Sequence, residues 1–344
     1  MINLITTGLP ETSKGNQNEI FLGDWCIPIT DKFNKNKNFK IVPYHWENTD
    51  IMKKDMNNLY QIYKQFLPIM KDYLNKFHKI KNSVDYWEFL IGPWLFMFLN
   101  ILYDRYLSIE TASKKYPNFH SSITDQKITP QDFNQTYELI TTHQYNFVLY
   151  SQIISEFPGL KKKKIRINLK TRKNLTTSNF TLKKLIVQTI NYIKNLKKNK
   201  NSRTNNYIEL ISSDFSPKDQ KIFFDNLNLN FNEINLKKFK VPQKQANVRP
   251  EITEDFDDNF LSIAKKIIPD HIPIDYMENY NDWKNLANSS GFSNNPRTVV
   301  MRSPGEFVSL VRFYCAEKKN KGAKLVGMQH GGGYGVQPYV SSTE

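Results

Sequence analysis

The candidate catalytic residue nearest the carboxyl end is His330, which lies in a glycine-rich segment, residues 329–335, directly after the apolar run 323–327. A short buried strand that ends in such a turn presents binding groups at the edge of an α/β sheet. An imidazole there could act as a general base or protonate a leaving group, because the ordinary histidine pKa of about 6.5 suits either role. The structural alternative is a tight turn in which His330 bonds only to backbone. The predicted binding residues beside it are Gln329, Gly331, Gly332 and Tyr334.

A second group of candidate residues lies near the amino end. Asp24 and Trp25 follow a short apolar run, and His45, Trp46 and Glu47 stand between a predicted strand and a predicted helix. An indole stacks on the apolar face of a pyranose while carboxylates bind sugar hydroxyls, so this pairing is typical of sugar recognition. Asp24 or Glu47 could also act as a base if desolvation raised its pKa. Packing alone is the competing explanation for both tryptophans.

The first predicted strand, residues 2–6, supplies a third candidate feature. It runs into Thr7 and Gly8, which would place a hydroxyl group and a glycine at the carboxyl end of the strand. Ligands bind at that end of the strands in open α/β sheets, so Thr7 and Gly8 are predicted binding residues.

The elements that must position these residues alternate along most of the chain. Apolar residues at steps of three and four predict an amphipathic helix over 52–77, and two further helices are expected over 84–107 and 129–157. Strands are expected at 165–169, 207–211 and 297–301, separated by helices. Strict alternation of strand and helix predicts an α/β fold with a parallel sheet and a large helical insertion.

Composition excludes several classes of protein. Two cysteines cannot build a disulfide framework, and no Cys/His spacing suggests a metal site. We therefore expect no bound metal, and we expect the protein to reside in a reducing cytosol. No signal peptide is predicted, and the longest apolar stretch, 89–103, is shorter than the roughly 20 residues that span a bilayer. The net charge of +15 invites a nucleic-acid function, but the lysine runs at 161–164 and 194–200 sit in no recognisable nucleic-acid-binding motif.

Five segments, spread in order over nearly the whole chain, resemble a family of bacterial surface-polysaccharide transferases. These GT-B-like enzymes occur in O-antigen and capsule gene clusters. The segments that carry the resemblance read TTGL at 6–9, FLGDWC at 21–26, PYHWEN at 43–48, YDR at 103–105, and QHGG with YG between 329 and 335. Such an ordered set is more specific than any one of its motifs.

The resemblance implies a Rossmann-like fold that corresponds to the N-terminal domain of a GT-B transferase. Residues 1–48 would form its first strands, 49–159 the helical insertion and 160–344 the remaining βα units, with a C-terminal nucleotide-sugar domain absent. A sugar nucleotide would be the co-substrate, no cofactor would be required, and the acceptor would be a glycan or lipid-linked glycan. His330, Glu47 and Asp24 would be the catalytic candidates, and Gln329 would line the cleft with His330.

This interpretation predicts a cytoplasmic transferase, with peripheral contact at the inner face of the membrane, whose Asp24–Trp25 corner and His330 loop converge on one groove. A non-catalytic glycan- or protein-binding module, or an inactive fragment, is the alternative. An RNA-binding protein would instead lose affinity steeply with added salt.

Overall fold

The computed structural model describes residues 2–13, 18–27, 39–169, 208–211, 244–302 and 308–328, together with a few isolated positions between 216 and 241. The helix expected between the predicted strands at 207–211 and 297–301 is therefore only partly covered. Residues 303–307 and 329–344 lie outside the described part of the chain.

Five parallel strands form the first sheet, in the order β3-β2-β1-β4-β5. They are β1 (Asn3–Ile5), β2 (Glu19–Phe21), β3 (Lys40–Ile41), β4 (His120–Ile123) and β5 (Lys161–Lys164). The chain winds outward from β1 in one direction and then returns to add β4 and β5 on its other side. This order confirms the predicted Rossmann-like α/β fold, and it places the topological switch point between β1 and β4.

Three further parallel strands form a separate sheet, in the order β6-β7-β8. They are β6 (Ile208–Leu210), β7 (Thr298–Arg302) and β8 (Lys324–Met328). The sequence interpretation assigned all the strands after residue 160 to one domain with the first strands. Among the described strands after residue 160, only β5 joins the first sheet. The sequence could not indicate this division, because strand and helix periodicity does not encode which strands pair.

Seven α-helices have bounds within the described residues, and the two longest lie between β3 and β4. The helices are α1 (Thr49–His78), α2 (Val84–Lys115), α3 (Phe133–Leu139), α4 (His143–Glu156), α5 (Asn259–His271), α6 (Tyr280–Ser289) and α7 (Ser309–Asn320). The side chain of Asn48 caps α1 by accepting from the backbone N–H groups of Asp50 and Ile51, at 2.8 and 3.3 Å. The helix ends at Lys79, which adopts the left-handed conformation with φ 55°.

The segment 49–159 is not a purely helical insertion, because β4 lies inside it and pairs with β1. The helix predicted over 129–157 is two helices, of which α3 is capped by Asp132 and α4 by Thr142. Thr129, the residue at the predicted start of this helix, instead donates to the backbone carbonyl of Asp270. The strand predicted at 165–169 is displaced to the lysine run of β5, since backbone pairing at a sheet edge needs no apolar side chain.

One continuous hydrophobic core contacts both sheets and is centred on α1 and α2. Gly92 of α2 allows a close approach, because a Cβ atom there would lie 2.7 Å from the hydroxyl oxygen of Tyr63 on α1. The following residue, Pro93, has no N–H group, which leaves the carbonyl of Phe89 without its helical donor. The buried guanidinium of Arg312 on α7 donates to this carbonyl and, at 2.9 Å, to that of Leu90. In this way α7 completes the hydrogen bonding of α2.

Within the described residues, neither of the long helices nor any shorter one combines the length and apolarity needed to cross a bilayer.

Candidate active site

A cavity of about 280 Å³ opens at the carboxyl end of β1, beside the switch point of the five-stranded sheet. Small-molecule sites occupy this position in open α/β sheets. The cavity joins apolar walls to converging polar groups, the usual composition of such sites. It is lined by Thr6, Thr7, Trp25, Tyr44, Asp104, Arg105, Ile140, Thr141, His143, Asn146 and Tyr150.

The floor of the cavity joins the loop after β1 to the first turn of α4. The backbone N–H of Gly8 donates to Nδ1 of His143 at 3.2 Å. A Cβ atom on Gly8 would lie 3.1 Å from the imidazole ring, so the ring packs closely over this glycine. His143 is the first residue of α4, where backbone N–H groups without helical partners create a partial positive charge.

A carboxylate and a guanidinium from α2 form one wall. Asp104 accepts a 2.9 Å hydrogen bond from the Tyr44 hydroxyl and lies 3.3 Å from Nε2 of His45. Its other oxygen pairs with Arg105. Burial alone would raise the pKa of Asp104, but the contact with His45 and the positive charge of Arg105 outweigh burial and lower it. Burial and the neighbouring Asp104 raise the pKa of Tyr44. Asp104 is therefore an anion fully engaged in pairing, which makes it a poor general base.

Asn146 fixes the position of Arg105. Its side-chain oxygen accepts from Nε of Arg105 at 3.0 Å, and its amide nitrogen donates to the carbonyls of Ile140 and Thr142 at 2.7 and 2.8 Å. The guanidinium carbon also lies 6.0 Å from the ring centre of Tyr150. Asn146 thus links the turn before α4 to the guanidinium of Arg105 on α2.

A buried histidine holds α4 against α5. Nε2 of His271 lies 2.7 Å from the side-chain oxygen of Gln152, and Nδ1 lies 2.7 Å from the hydroxyl of Tyr145. An amide oxygen only accepts, so Nε2 carries the proton and Tyr145 donates to Nδ1. Burial lowers the pKa of His271 to about 3, which keeps the imidazole neutral. The helix that carries His143 is therefore anchored by a neutral imidazole.

Some residues predicted from the sequence lie at this cavity. Thr7 and Trp25 line it, and Gly8 contacts His143 beneath it. His45 lies behind the lining, against Asp104.

The other predicted residues of the amino-terminal group lie elsewhere. Trp46 donates from its indole nitrogen to Asp55 at 2.8 Å, so its polar atom is directed to α1. Asp24 and Glu47 are exposed, and neither lines the cavity. The cavity geometry therefore gives no support to either carboxylate as the base.

The predicted residues of the terminal loop, Gln329, His330, Gly331, Gly332 and Tyr334, lie outside the described residues. The strand that precedes them, β8, belongs to the three-stranded sheet, whereas the Asp24–Trp25 corner follows β2 of the five-stranded sheet. The two segments therefore follow strands of two different sheets, not the rim of a single sheet as expected. The convergence of the Asp24–Trp25 corner and the His330 loop on one groove stays a prediction.

Sequence reasoning missed His143 and Asn146. One available signal was the sequence Thr142-His143, in which a helix cap is followed by a histidine at the positive helix end. Cations are disfavoured there, so a histidine at that position needs a reason other than charge. Asp104 and Arg105 belong to one of the segments that carry the family resemblance, and the structure places both in the lining of the cavity.

Among the side chains that the structure describes, no three from His, Cys, Asp and Glu are grouped so that they could hold a metal ion.

Comparison with known proteins agrees with an enzyme of the transferase class. No curated protein and no solved structure matches the chain. A family model described as "LIC12162 family transferase" matches residues 2–344, and the chain therefore belongs to this family of transferases.

Proposed function

We propose that the protein is a glycosyltransferase of cell-envelope polysaccharide assembly, moving a sugar from a nucleotide-activated donor to a glycan acceptor. Membership of a transferase family supports group transfer, and the resemblance of five ordered segments to surface-polysaccharide transferases supports a sugar as the group. The observation that carries the proposal is the cavity at the switch point, with an exposed indole at its mouth and polar groups behind it.

Trp25 has the geometry of a sugar platform. Its side chain is 41% exposed, unusual for so large an apolar group, and it lies edge-on to Tyr44 with ring centres 6.3 Å apart. Most tryptophans bury their rings, so an exposed indole at a cavity mouth favours a ligand with an apolar face. The volume of about 280 Å³ lies just below the usual range for small-molecule sites, roughly 300–1,000 Å³. A single sugar unit fits this size better than a whole sugar nucleotide.

In the proposed reaction, an acceptor hydroxyl oxygen attacks the anomeric carbon while the bond from that carbon to the phosphate oxygen breaks. The acceptor proton leaves to a base, and the electron pair of the broken bond leaves with the phosphate. Stabilising the departing phosphate is the larger electrostatic requirement. His330 is retained as the candidate base, in the GT-B-like arrangement that the resemblance implies.

The lysine strand β5 supports a membrane-proximal setting for this reaction. All four of its lysines are exposed at the edge of the sheet, and Lys164 has a partner at 3.8 Å in Asp125. Clustered lysines near an anionic leaflet each contribute about 1 kcal/mol of attraction. We propose contact with the inner face of the cytoplasmic membrane, where lipid-linked acceptors reside.

Sugar-nucleotide turnover tests the proposal. The chain is incubated with a panel of sugar nucleotides and glycan acceptors, and transfer, hydrolysis and binding are measured. Trp25→Ala should weaken sugar binding about tenfold, given the stacking energy of an aromatic contact. Tyr137→Ala is the matched control, because Tyr137 is 57% exposed but does not line the cavity.

Gly23→Ala provides an independent perturbation of the same platform. A Cβ atom on Gly23 would lie 2.3 Å from the Trp25 ring, so the indole must move away from its observed position. This variant should lose sugar affinity while keeping Trp25. The proposal is overturned if no sugar nucleotide or glycan binds, or if Trp25→Ala behaves like Tyr137→Ala.

A further inference from the structure

Thr7 has a buried hydroxyl group that the described part of the chain leaves unpaired. The residue is 1% exposed and lines the cavity, and its Oγ1 has no hydrogen-bond partner among the described residues. Burying a hydroxyl group without a partner is costly. The oxygen atom itself is shielded from solvent in this structure, so a ligand oxygen in the cavity would satisfy it after a change of the Thr7 side-chain rotamer.

His143 supplies a second donor, and its tautomer follows from its contact with Gly8. The Gly8 N–H points at Nδ1, so Nδ1 must present its lone pair and the ring proton lies on Nε2. An imidazole held in this form donates from Nε2 and cannot accept a proton there. His143 is therefore a hydrogen-bond donor rather than a general base.

Two positive features accompany these donors. The first turn of α4, a helix of 14 residues, begins at His143 and carries the partial positive charge of its free N–H groups. Arg105 lines the same cavity, and the one carboxylate in the lining, Asp104, is already paired with it. The negative charge of Asp104 is thus compensated within the wall. The groups that remain available to a ligand are hydrogen-bond donors.

We propose that the cavity contains an oxyanion subsite in which the Thr7 hydroxyl, Nε2–H of His143 and the charge of Arg105 bind phosphate oxygens. The assignment deepens the proposed function and rests on it for the identity of the natural ligand, the phosphate of an activated or phosphorylated sugar. The geometry of the subsite itself can be tested without any transfer reaction.

The test is calorimetric titration of the full chain with four probes: inorganic phosphate, a hexose 1-phosphate, a hexuronate and the uncharged hexose. Phosphate and hexose 1-phosphate should bind, the uncharged hexose should bind more weakly, and the hexuronate separates a phosphate from a carboxylate preference. Nitrogen-15 NMR of His143 should show the proton on Nε2 and a shift of that resonance on phosphate addition.

Thr7→Val separates binding from folding. Valine keeps the shape of threonine, and the lost hydroxyl has no described partner, so the urea midpoint should stay unchanged or rise. Phosphate affinity should fall about tenfold, the effect of one hydrogen bond to a charged group. Thr136→Val is the matched control, since Thr136 is fully buried and donates at 3.0 Å to the carbonyl of Asp132, and it does not line the cavity.

The outcomes distinguish this inference from the proposed function. Unchanged phosphate affinity in Thr7→Val, a proton on Nδ1 of His143, or tighter binding of the uncharged hexose than of phosphate would overturn the oxyanion subsite. Phosphate binding that depends on Thr7, in a chain that binds no sugar nucleotide or glycan, would retain the subsite and refute the glycosyltransferase proposal.

Discussion

Acidification from pH 7 to pH 5 should destabilise the protein through two buried histidines. His271 holds α4 to α5, and burial lowers its pKa to about 3. His78 donates from Nε2 to the carbonyl of Tyr276 at 3.0 Å and stacks on Tyr280 with ring centres 4.1 Å apart. Burial lowers the pKa of His78 to about 4. Both imidazoles are neutral in the folded state throughout this pH window.

The sign follows from proton uptake by the unfolded chain. An unfolded histidine has a pKa of about 6.5, so below that pH the unfolded state binds protons that the folded state excludes. The stability contributed by neutral burial is complete above about pH 6.5, and it is lost as the pH falls toward the folded-state values. At pH 5, about 1.5 pH units below the unfolded pKa, each histidine costs about 2 kcal/mol at about 1.36 kcal/mol per unit. Together they remove about 4 kcal/mol, a large part of the roughly 5–15 kcal/mol typical of a folded protein.

Urea unfolding at pH 7 and pH 5 measures this loss. His271→Gln and His78→Gln should each reduce the difference between the two pH values by about 2 kcal/mol, because glutamine does not titrate. Neighbouring charges such as Asp270 and Lys127 near His271, or Glu278 and Lys284 near His78, remain in every variant and cancel in the comparison.

Tyr145→Phe is the matched control for His271. It removes the hydroxyl group that donates to Nδ1 but leaves the imidazole in place, so stability should fall at both pH values while the pH dependence persists. An undiminished loss of stability between pH 7 and pH 5 in His271→Gln would refute the assignment of a neutral buried imidazole.

Three further predictions concern packing and reactivity. Arg312→Met should lower the free energy of unfolding by about 3 kcal/mol, measured in urea, because two α2 carbonyls lose their buried donor; an unchanged midpoint would contradict this role. Gly92→Ala should lower the free energy of unfolding by about 1–3 kcal/mol through a clash with the Tyr63 hydroxyl, an effect that about 1 kcal/mol of improved helix propensity partly offsets. In a Tyr63→Phe background, which lacks that hydroxyl, the same substitution should lose much less stability. Burial raises the pKa of Cys26 to about 12 and also raises that of Cys315, so both thiols should resist iodoacetamide at pH 8 until urea is added; rapid labelling of the native chain would show that they are accessible.

Periodicity and capping residues in the sequence predicted most of the individual elements. The three- and four-residue spacing of apolar side chains located α1 and α2, and short β-branched runs located β1, β6 and β7 within one or two residues. These signals are local, because a helix or strand buries one face whatever its partners are. The same reasoning failed at β5, where four exposed lysines pair by backbone alone.

The site was predictable only in part. A strand leading into Thr7 and Gly8 indicated a binding edge, and Trp25 beside an acidic residue indicated a ligand with an apolar face. Asp24, the acidic residue of that pairing, lies outside the cavity, and the carboxylate in the wall is Asp104, 80 positions later in the chain. The direction of a side chain at a turn depends on packing against distant elements, which sequence spacing does not record.

The sequence by itself determined where most of the helices and strands form, because these follow from contacts between residues near in the chain, and their alternation indicated a parallel α/β fold. Tertiary structure alone decided that the strands divide into two sheets and that His143 lies over Gly8, 135 positions away. It also decided that the Thr7 hydroxyl is buried with no described partner. Each of these depends on contacts between residues distant in the chain, and no local pattern specifies them.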